Sequence, residues 1–478
     1  VQTATEDRQE LTRGFGLLRA TALNMSNVVG VGPFITIPLI LQAMGGPQAL
    51  VGWAAGAVIA MCDGLVWAEL GAAWPGSGGT YTYLREAYGH ERWGRFMAFL
   101  FIWQFIFSGP MEIGTGLIGF GKYLSYLVPG LASKAPILSV DLLGHALPIT
   151  GVFCTKLIGA GVGALAVFAL YRRIQAVGKI TVALWLGTVI TMVGIIALGA
   201  PHFSAARAFA FPPGAFGFRI GFVVGLGNAM LLAMYDYLGY YDVCYIGDEV
   251  RNPTKTIPRS ILLCVLLVAI GYLAIETIII GVMPWQEAMG SNFVVSDFMQ
   301  RMYGRPTAVI FTLLIVWTAF ASIFAMLLGY SRIPYAAARD GYFFRPFARV
   351  HKTRRIPHVS LLVLGAVTIA TAFFDLDVVI TVLITSRVLV QFVAQIFALP
   401  LMRRKLSAEK RPYRMWLYPV PAVVALMGWV AIFGLSGGVY ILGAVLTMIT
   451  GAVTFLVRAK VTRTWPFEMP SAKFKTQA

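Results

Sequence analysis

Charge is scarce in this chain: 12% of its 478 residues are Asp, Glu, Lys or Arg, 58% are hydrophobic, and the mean hydropathy is +0.75. Solvating the surface of a soluble domain takes about twice that share of charged residues, so a soluble fold is excluded. Cysteine is scarcer still. The four, Cys62, Cys154, Cys244 and Cys264, fall singly in apolar segments with no C-x-x-C pair, which removes a disulfide framework from consideration. The five histidines, His90, His145, His202, His351 and His358, fall between the apolar segments. No intramembrane histidine is left for haem or metal, and no Ser-His or metal-ligand spacing occurs inside a span. No cofactor and no metal are expected, and the chain does not read as an enzyme.

What fills the chain is a series of apolar runs of the length a bilayer demands, roughly 20 residues each. Twelve lie near 16–43, 48–74, 92–120, 149–171, 176–199, 217–245, 258–283, 305–335, 357–374, 376–401, 415–434 and 437–457. The ninth and tenth are separated only by Phe374-Asp375-Leu376-Asp377, and their joint length divides them into two. The expected architecture is an all-α polytopic membrane protein with 12 transmembrane helices. Residues 1–20 are polar, with no short apolar core followed by a small-residue cleavage site. That predicts a mature, cytosolic N-terminus.

A net charge of +17 raises nucleic acid as a partner. The basic residues, however, occupy alternate loops. They begin with Arg85, Arg92 and Arg95, then Arg172 and Arg173, then Arg251, Lys255 and Arg259. The series continues through Arg345, Arg349, Lys352, Arg354 and Arg355 to Arg403, Arg404, Lys405, Lys410, Arg411 and Arg414, and closes with Arg458, Lys460 and Arg463. The intervening loops hold few cations, such as Lys122, Lys134, Arg207 and Arg301. This alternation fits the positive-inside rule for a multi-pass cell-membrane protein with both termini cytoplasmic. The charge therefore reports orientation and attraction to anionic membrane lipids, and nucleic acid is set aside.

Two spans are interrupted. In Asn24-Met25-Ser26-Asn27-Val28-Val29-Gly30-Val31-Gly32-Pro33-Phe34, two glycines weaken the helix and Pro33 lacks the amide that would continue it. About five helices later, 233–242 puts Gly239, Asp236, Asp242 and four tyrosines into one apolar stretch. Backbone freed at membrane depth is tolerated where it lines a polar cavity or is buried in protein, and close helix packing accounts equally for a lone glycine. Two breaks at repeat spacing predict an inverted repeat with a small polar solute or ion at its centre. The expected units are a cytosolic tail 1–15, helices 1–5 in 16–199, helices 6–10 in 217–401, peripheral helices 11–12 in 412–458, and a cytosolic tail 459–478.

Four segments in order resemble the amino acid-polyamine-organocation superfamily of permeases, whose fold is of the LeuT type, a 5+5 inverted repeat with broken helices 1 and 6. Gly30-Val31-Gly32-Pro33-Phe34 resembles its first-helix signature, and Ala68-Glu69-Leu70-Gly71 with Pro75-Gly76-Ser77-Gly78-Gly79-Thr80-Tyr81 its helix-2 motif. The stretch from Gly247-Asp248-Glu249-Val250 to Arg259 is similar to its loop after helix 6, and Ser331-Arg332 with Ala338-Arg339-Asp340-Gly341 to its segment after helix 8. Gly32-Pro33-Phe34 and Ser108-Gly109-Pro110-Met111-Glu112 look most like the polyamine-uptake branch, which is close to L-type amino-acid transporters. Two departures are visible: Ile35-Thr36-Ile37-Pro38 lacks that branch's acids, and Val31 replaces the usual hydroxyl residue. In the heteromeric branch a cysteine between helices 3 and 4 links an accessory subunit. Residues 121–148 contain none, so no disulfide-linked partner is expected.

The candidate substrate-binding residues are Val29, Gly30, Val31, Gly32, Glu112, Tyr235, Asp236, Tyr237 and Gly239. Amides after Gly32 suit a substrate carboxylate, and freed carbonyls of helices 1 and 6 suit its ammonium. The resemblance implies that Tyr235 is an aromatic gate and that Lys179 replaces the sodium ion of sodium-coupled relatives. From spacing alone, Lys179 equally snorkels to the interface, and the tyrosines equally pack on neighbouring helices. Asp236 and Glu112 have no basic residue within a helical turn. A cationic substrate, a proton, or internal hydrogen bonds would each neutralise them. The expectation is thus a sodium-independent secondary transporter of amino acids or polyamines, leaning cationic, proton-coupled or an exchanger, working by alternating access. A neutral amino-acid permease is the alternative, and a channel or non-transporting sensor is the alternative of another class.

Overall fold

The computed structural model describes residues 11–90, 92–142, 145–217, 219–374 and 376–467. The ends of both expected tails, 1–10 and 468–478, lie outside the described residues, as does Asp375 between the ninth and tenth apolar runs.

Lipid offers no hydrogen-bond partners, so apolar runs satisfy their backbone by closing into helices even where they are rich in β-branched residues. The first run forms α1 (Leu17–Val28) and α2 (Gly32–Met44), bent by 46°. Next come α3 (Ala49–Ala73), α4 (Trp93–Leu127), α5 (Gly151–Leu170), α6 (Ile174–Gly199) and α7 (Ile220–Tyr237). The second part of the chain holds α8 (Pro253–Val282), α9 (Val294–Tyr330), α10 (His358–Thr371) and α11 (Leu376–Arg387). A π turn at Val388–Ala394 joins α11 to α12 (Gln395–Lys405), and α13 (Val420–Leu435) and α14 (Gly438–Thr462) follow. Among the described residues nine helical spans are long and apolar enough to cross a membrane, and the bent α1–α2 pair makes ten. Two further apolar helices, α10 and α13, are shorter.

The all-α expectation needs one correction. Pro136–Leu142 and His145–Thr150, expected as loop up to Pro148 and as the start of a span from 149, pair as an antiparallel hairpin. His145 thus lies in a strand, and His358 opens α10 rather than lying in a loop. Burial is lowest along α14, whose Val439, Leu442, Leu446, Ile449 and Val453 are exposed as a lipid-facing stripe. Of the four cysteines, Cys244 and Cys264 are buried, and all four are free thiols.

Three of the four resemblance motifs, 68–81, 247–259 and 331–341, converge at one end of the bundle, while 30–34 lies at the cavity described below. Glu69 of α3 is wholly buried and accepts hydrogen bonds from Arg403 (2.6 Å), Arg411 (3.2 Å) and the Met415 amide (2.8 Å). Arg332 donates to both oxygens of Glu249, at 2.7 and 3.3 Å, and both residues are buried. Arg85 pairs with Asp340, which also accepts from the Tyr81 hydroxyl at 3.1 Å. The N-terminal segment is strapped on here too: the amides of Gly14 and Phe15 donate to the Glu249 carbonyl, and the Arg251 amide donates to the Phe15 carbonyl.

Candidate functional site

The first break covers Val29 to Val31. α1 stops at Val28, and α2 restarts at Gly32 with Pro33, which has no amide hydrogen, in its first turn. The start of α2 therefore leaves the amides of Val31, Gly32 and Phe34 without intrahelical acceptors. The released carbonyls are not idle: Asn27 accepts from Ser322 of α9 at 3.0 Å, and Val28 from the Tyr272 hydroxyl of α8 at 2.9 Å. In the second break, α7 ends at Tyr237 and the chain turns through Gly239 (φ +111°) before one helical turn at Asp242–Tyr245. A side chain at Gly239 would be strained by that φ and would meet Asn27, whose amide group lies against it.

Between the breaks lies a cavity walled by both of them, by α4 and by α9, with Asn27, Gly30, Gly32, Glu112, Thr115, Tyr235, Asp236, Ser322 and Met326 among its lining residues. The free space is about 30 Å³, room for a water molecule or two and too little for an amino acid. Six of the nine residues singled out from sequence line it: Gly30, Val31, Gly32, Glu112, Tyr235 and Asp236. Three do not. Val29 is buried in the helix packing, Gly239 lies behind Asn27, and Tyr237 packs its ring against Trp53 and Tyr272. The side chain of Val31 seats against Gly119 of α4.

Tyr235 reaches across the cavity, its hydroxyl donating to Thr115 Oγ1 at 2.8 Å and its ring edge lying over Gly32. Asp236 is buried: one carboxylate oxygen accepts from the Thr36 hydroxyl of α2, while Oδ1 has no hydrogen-bond partner. Glu112 differs from the solitary acid expected. Its carboxylate pairs with Arg387 of α11 at 2.5 Å and accepts from the Tyr330 hydroxyl, and the guanidinium also donates to Ser108 at 3.1 Å. Sequence reasoning missed Arg387, 275 residues away in the chain. The signal was present: a lone arginine inside the apolar run 376–401 is costly in lipid and calls for a buried acid.

Residues 15–467 match the family model for amino acid permeases. The chain belongs to the amino acid permease family. It is 26% identical to the human cystine/glutamate transporter over 423 residues, 87% of this chain and 79% of that protein. It is also 26% identical to a serine/threonine exchanger of Bacillus subtilis over 439 residues, covering 90% of this chain and 92% of that one. A branched-chain amino acid permease of Bacillus subtilis is 24% identical over 366 residues, 76% of this chain and 75% of its own. This permease is accordingly a multi-pass membrane protein of an amino-acid transport family. Within it, Lys179 is exposed on the first turns of α6 and makes no hydrogen bond or ion pair among the described residues. Val177, Thr181, Leu184 and Thr188 carry the buried face of that helix, with which Lys179 is out of phase. The snorkelling alternative describes its surroundings; the ion-replacing position does not follow from them.

Proposed function

We propose that this permease is a sodium-independent secondary carrier of neutral amino acids. It works by alternating access, as a proton-coupled importer or an exchanger. The reading uses 12 spans, with helices 1–5 in 16–199 and 6–10 in 217–401 forming a 5+5 inverted repeat, and both termini cytoplasmic. On that orientation the arginine-rich end, with Glu69, Glu249 and Asp340, is the cytosolic side.

The observation that carries the neutral reading is the Arg387–Glu112 pair in the cavity wall. With Glu112 neutralised from within, the cavity keeps one uncompensated acid, Asp236, and a start of α2 whose spare amides suit a carboxylate. The lean toward cationic substrates drew on two free acids, Asp236 and Glu112, and with Glu112 bonded internally it is replaced by its alternative. The names of the relatives, a serine/threonine exchanger and a branched-chain permease, support amino acids as the class.

The test is counterflow in liposomes. Preloaded L-alanine, L-serine or L-leucine should drive saturable uptake of its labelled form, unchanged when choline replaces sodium, while L-arginine, L-lysine and spermidine should not. Non-saturable flux would make the protein a channel, and no flux of any of these solutes would overturn the carrier reading.

A further inference from the structure

The start of a long helix with spare amides is where a transported amino acid would place its carboxylate, and this protein already has a carboxyl group there. Asp236 leans from α7 onto Gly32: a Cβ added to that glycine would come within 2.5 Å of Asp236 Oδ1. The other oxygen accepts from Thr36, one turn into the same helix. Oδ1 is buried, has no partner, and lies in the lining of the cavity beside the α2 terminus. The cavity around this arrangement has about 30 Å³ of free space.

The geometry points to Asp236 as an internal competitor for the carboxylate subsite at the start of α2, so that an incoming amino acid displaces it and is held only while Asp236 carries a proton. This rests on the amino-acid reading above and adds its coupling chemistry. Two carboxylates at one helix terminus repel each other in a medium of low dielectric, whereas a protonated Asp236 turns from rival acceptor into hydrogen-bond donor. The balance is one proton per amino acid: it is taken up by the Asp236 carboxylate with substrate on one side. It is released on the other when the carboxylate returns to α2.

The unpaired Asp242 of the same break lies outside the cavity lining, and of the two acids that line the cavity Asp236 is the one left free to do this. On its own helix it is flanked by Tyr235 and Tyr237, and α2 presents Thr36. The α4 acid, Glu112, is held by Arg387 of α11, and the α3 acid, Asp63, accepts from Tyr240 and Trp67. From α8 come Tyr272, whose hydroxyl donates to the Asp236 carbonyl at 3.3 Å, and the buried Glu276; α9 presents Ser322 and Met326. No lysine, arginine or histidine among the described residues is bonded to Asp236.

The experiment measures binding of whichever of L-alanine, L-serine or L-leucine gives the largest counterflow, from pH 5 to 9, on the full chain in liposomes. The wild-type dissociation constant should rise about tenfold per pH unit once Asp236 is mostly ionised, because only the protonated fraction is competent. Asp236→Asn, neutral at every pH, should show a flat profile, and Glu276→Gln should keep the wild-type slope. As a readout that needs no variant, substrate added to weakly buffered wild-type protein at the high-pH end should take up close to one proton per molecule bound, followed with an indicator dye. A flat wild-type profile, an unchanged slope in Asp236→Asn, loss of the slope in Glu276→Gln, or binding without proton uptake would each overturn the inference while leaving the carrier intact. Absence of counterflow defeats the carrier reading instead.

Discussion

The motif-bearing end of the bundle and the cavity between the helix breaks treat charge in opposite ways. At the motif-bearing end, Glu69 answers two arginines and an amide, Glu249 grips Arg332 through both oxygens, and Asp340 holds Arg85. In the cavity lining Glu112 is paired with a cation and Asp236 is not, and deeper in the bundle Asp242 and Glu276 are likewise buried with no ion pair among the described residues. A saturated ion pair has no reason to exchange partners, so the first region holds its elements in one arrangement. An acid without a cation is expensive to keep ionised away from water and gains from any proton, donor or solute that reaches it. The permease is thus tied together by matched charges and left responsive by unmatched ones.

Substitutions that unbalance one region and spare the other break this comparison. The largest effect is expected at Glu69→Ala, which strands Arg403 and Arg411 and should cost about 5 kcal/mol of stability, read as a lowered thermal unfolding midpoint in detergent. Arg387→Met should cost about 3 kcal/mol, because Glu112 loses its cation but keeps the Tyr330 hydroxyl, and adding Glu112→Gln should restore most of it. A double variant no better than the single one would mean that Arg387 acts through packing. Gly239→Ala forces a side chain into φ +111° against Asn27, and about 1–3 kcal/mol is expected in the same unfolding assay. The smallest effect is predicted for Lys179→Ala, exposed on α6: the pH profile of uptake should match the wild type. A flattened profile there would return the coupling role to Lys179.

Much of the site was legible because its signals are local. Gly30, Gly32 and Pro33 interrupt α1 and α2 by covalent geometry alone, and the acids and tyrosines around Gly239 stand out in an apolar run. Arg387 was legible in principle as a lone intramembrane cation, yet a tally of loop charges passes over it. The helical phase of Lys179 was not legible, since an apolar span has no polar face in its sequence to show which side is buried. For the same reason Tyr237 and Tyr235, two residues apart, looked alike, although one packs on Trp53 and the other spans the cavity.

The sequence by itself determined the membrane class, the positions of both helix breaks and the family, because hydrophobic length, missing amide hydrogens and motif order need no partner to be read. Only the tertiary structure decided which charges meet. Thr36 and Asp236 are 200 residues apart and Glu112 and Arg387 275, and whether a buried acid faces a cation, a hydroxyl or a helix terminus depends on how the helices pack. That choice, made by packing in a medium that cannot screen a mismatch, sets the charge of the cavity.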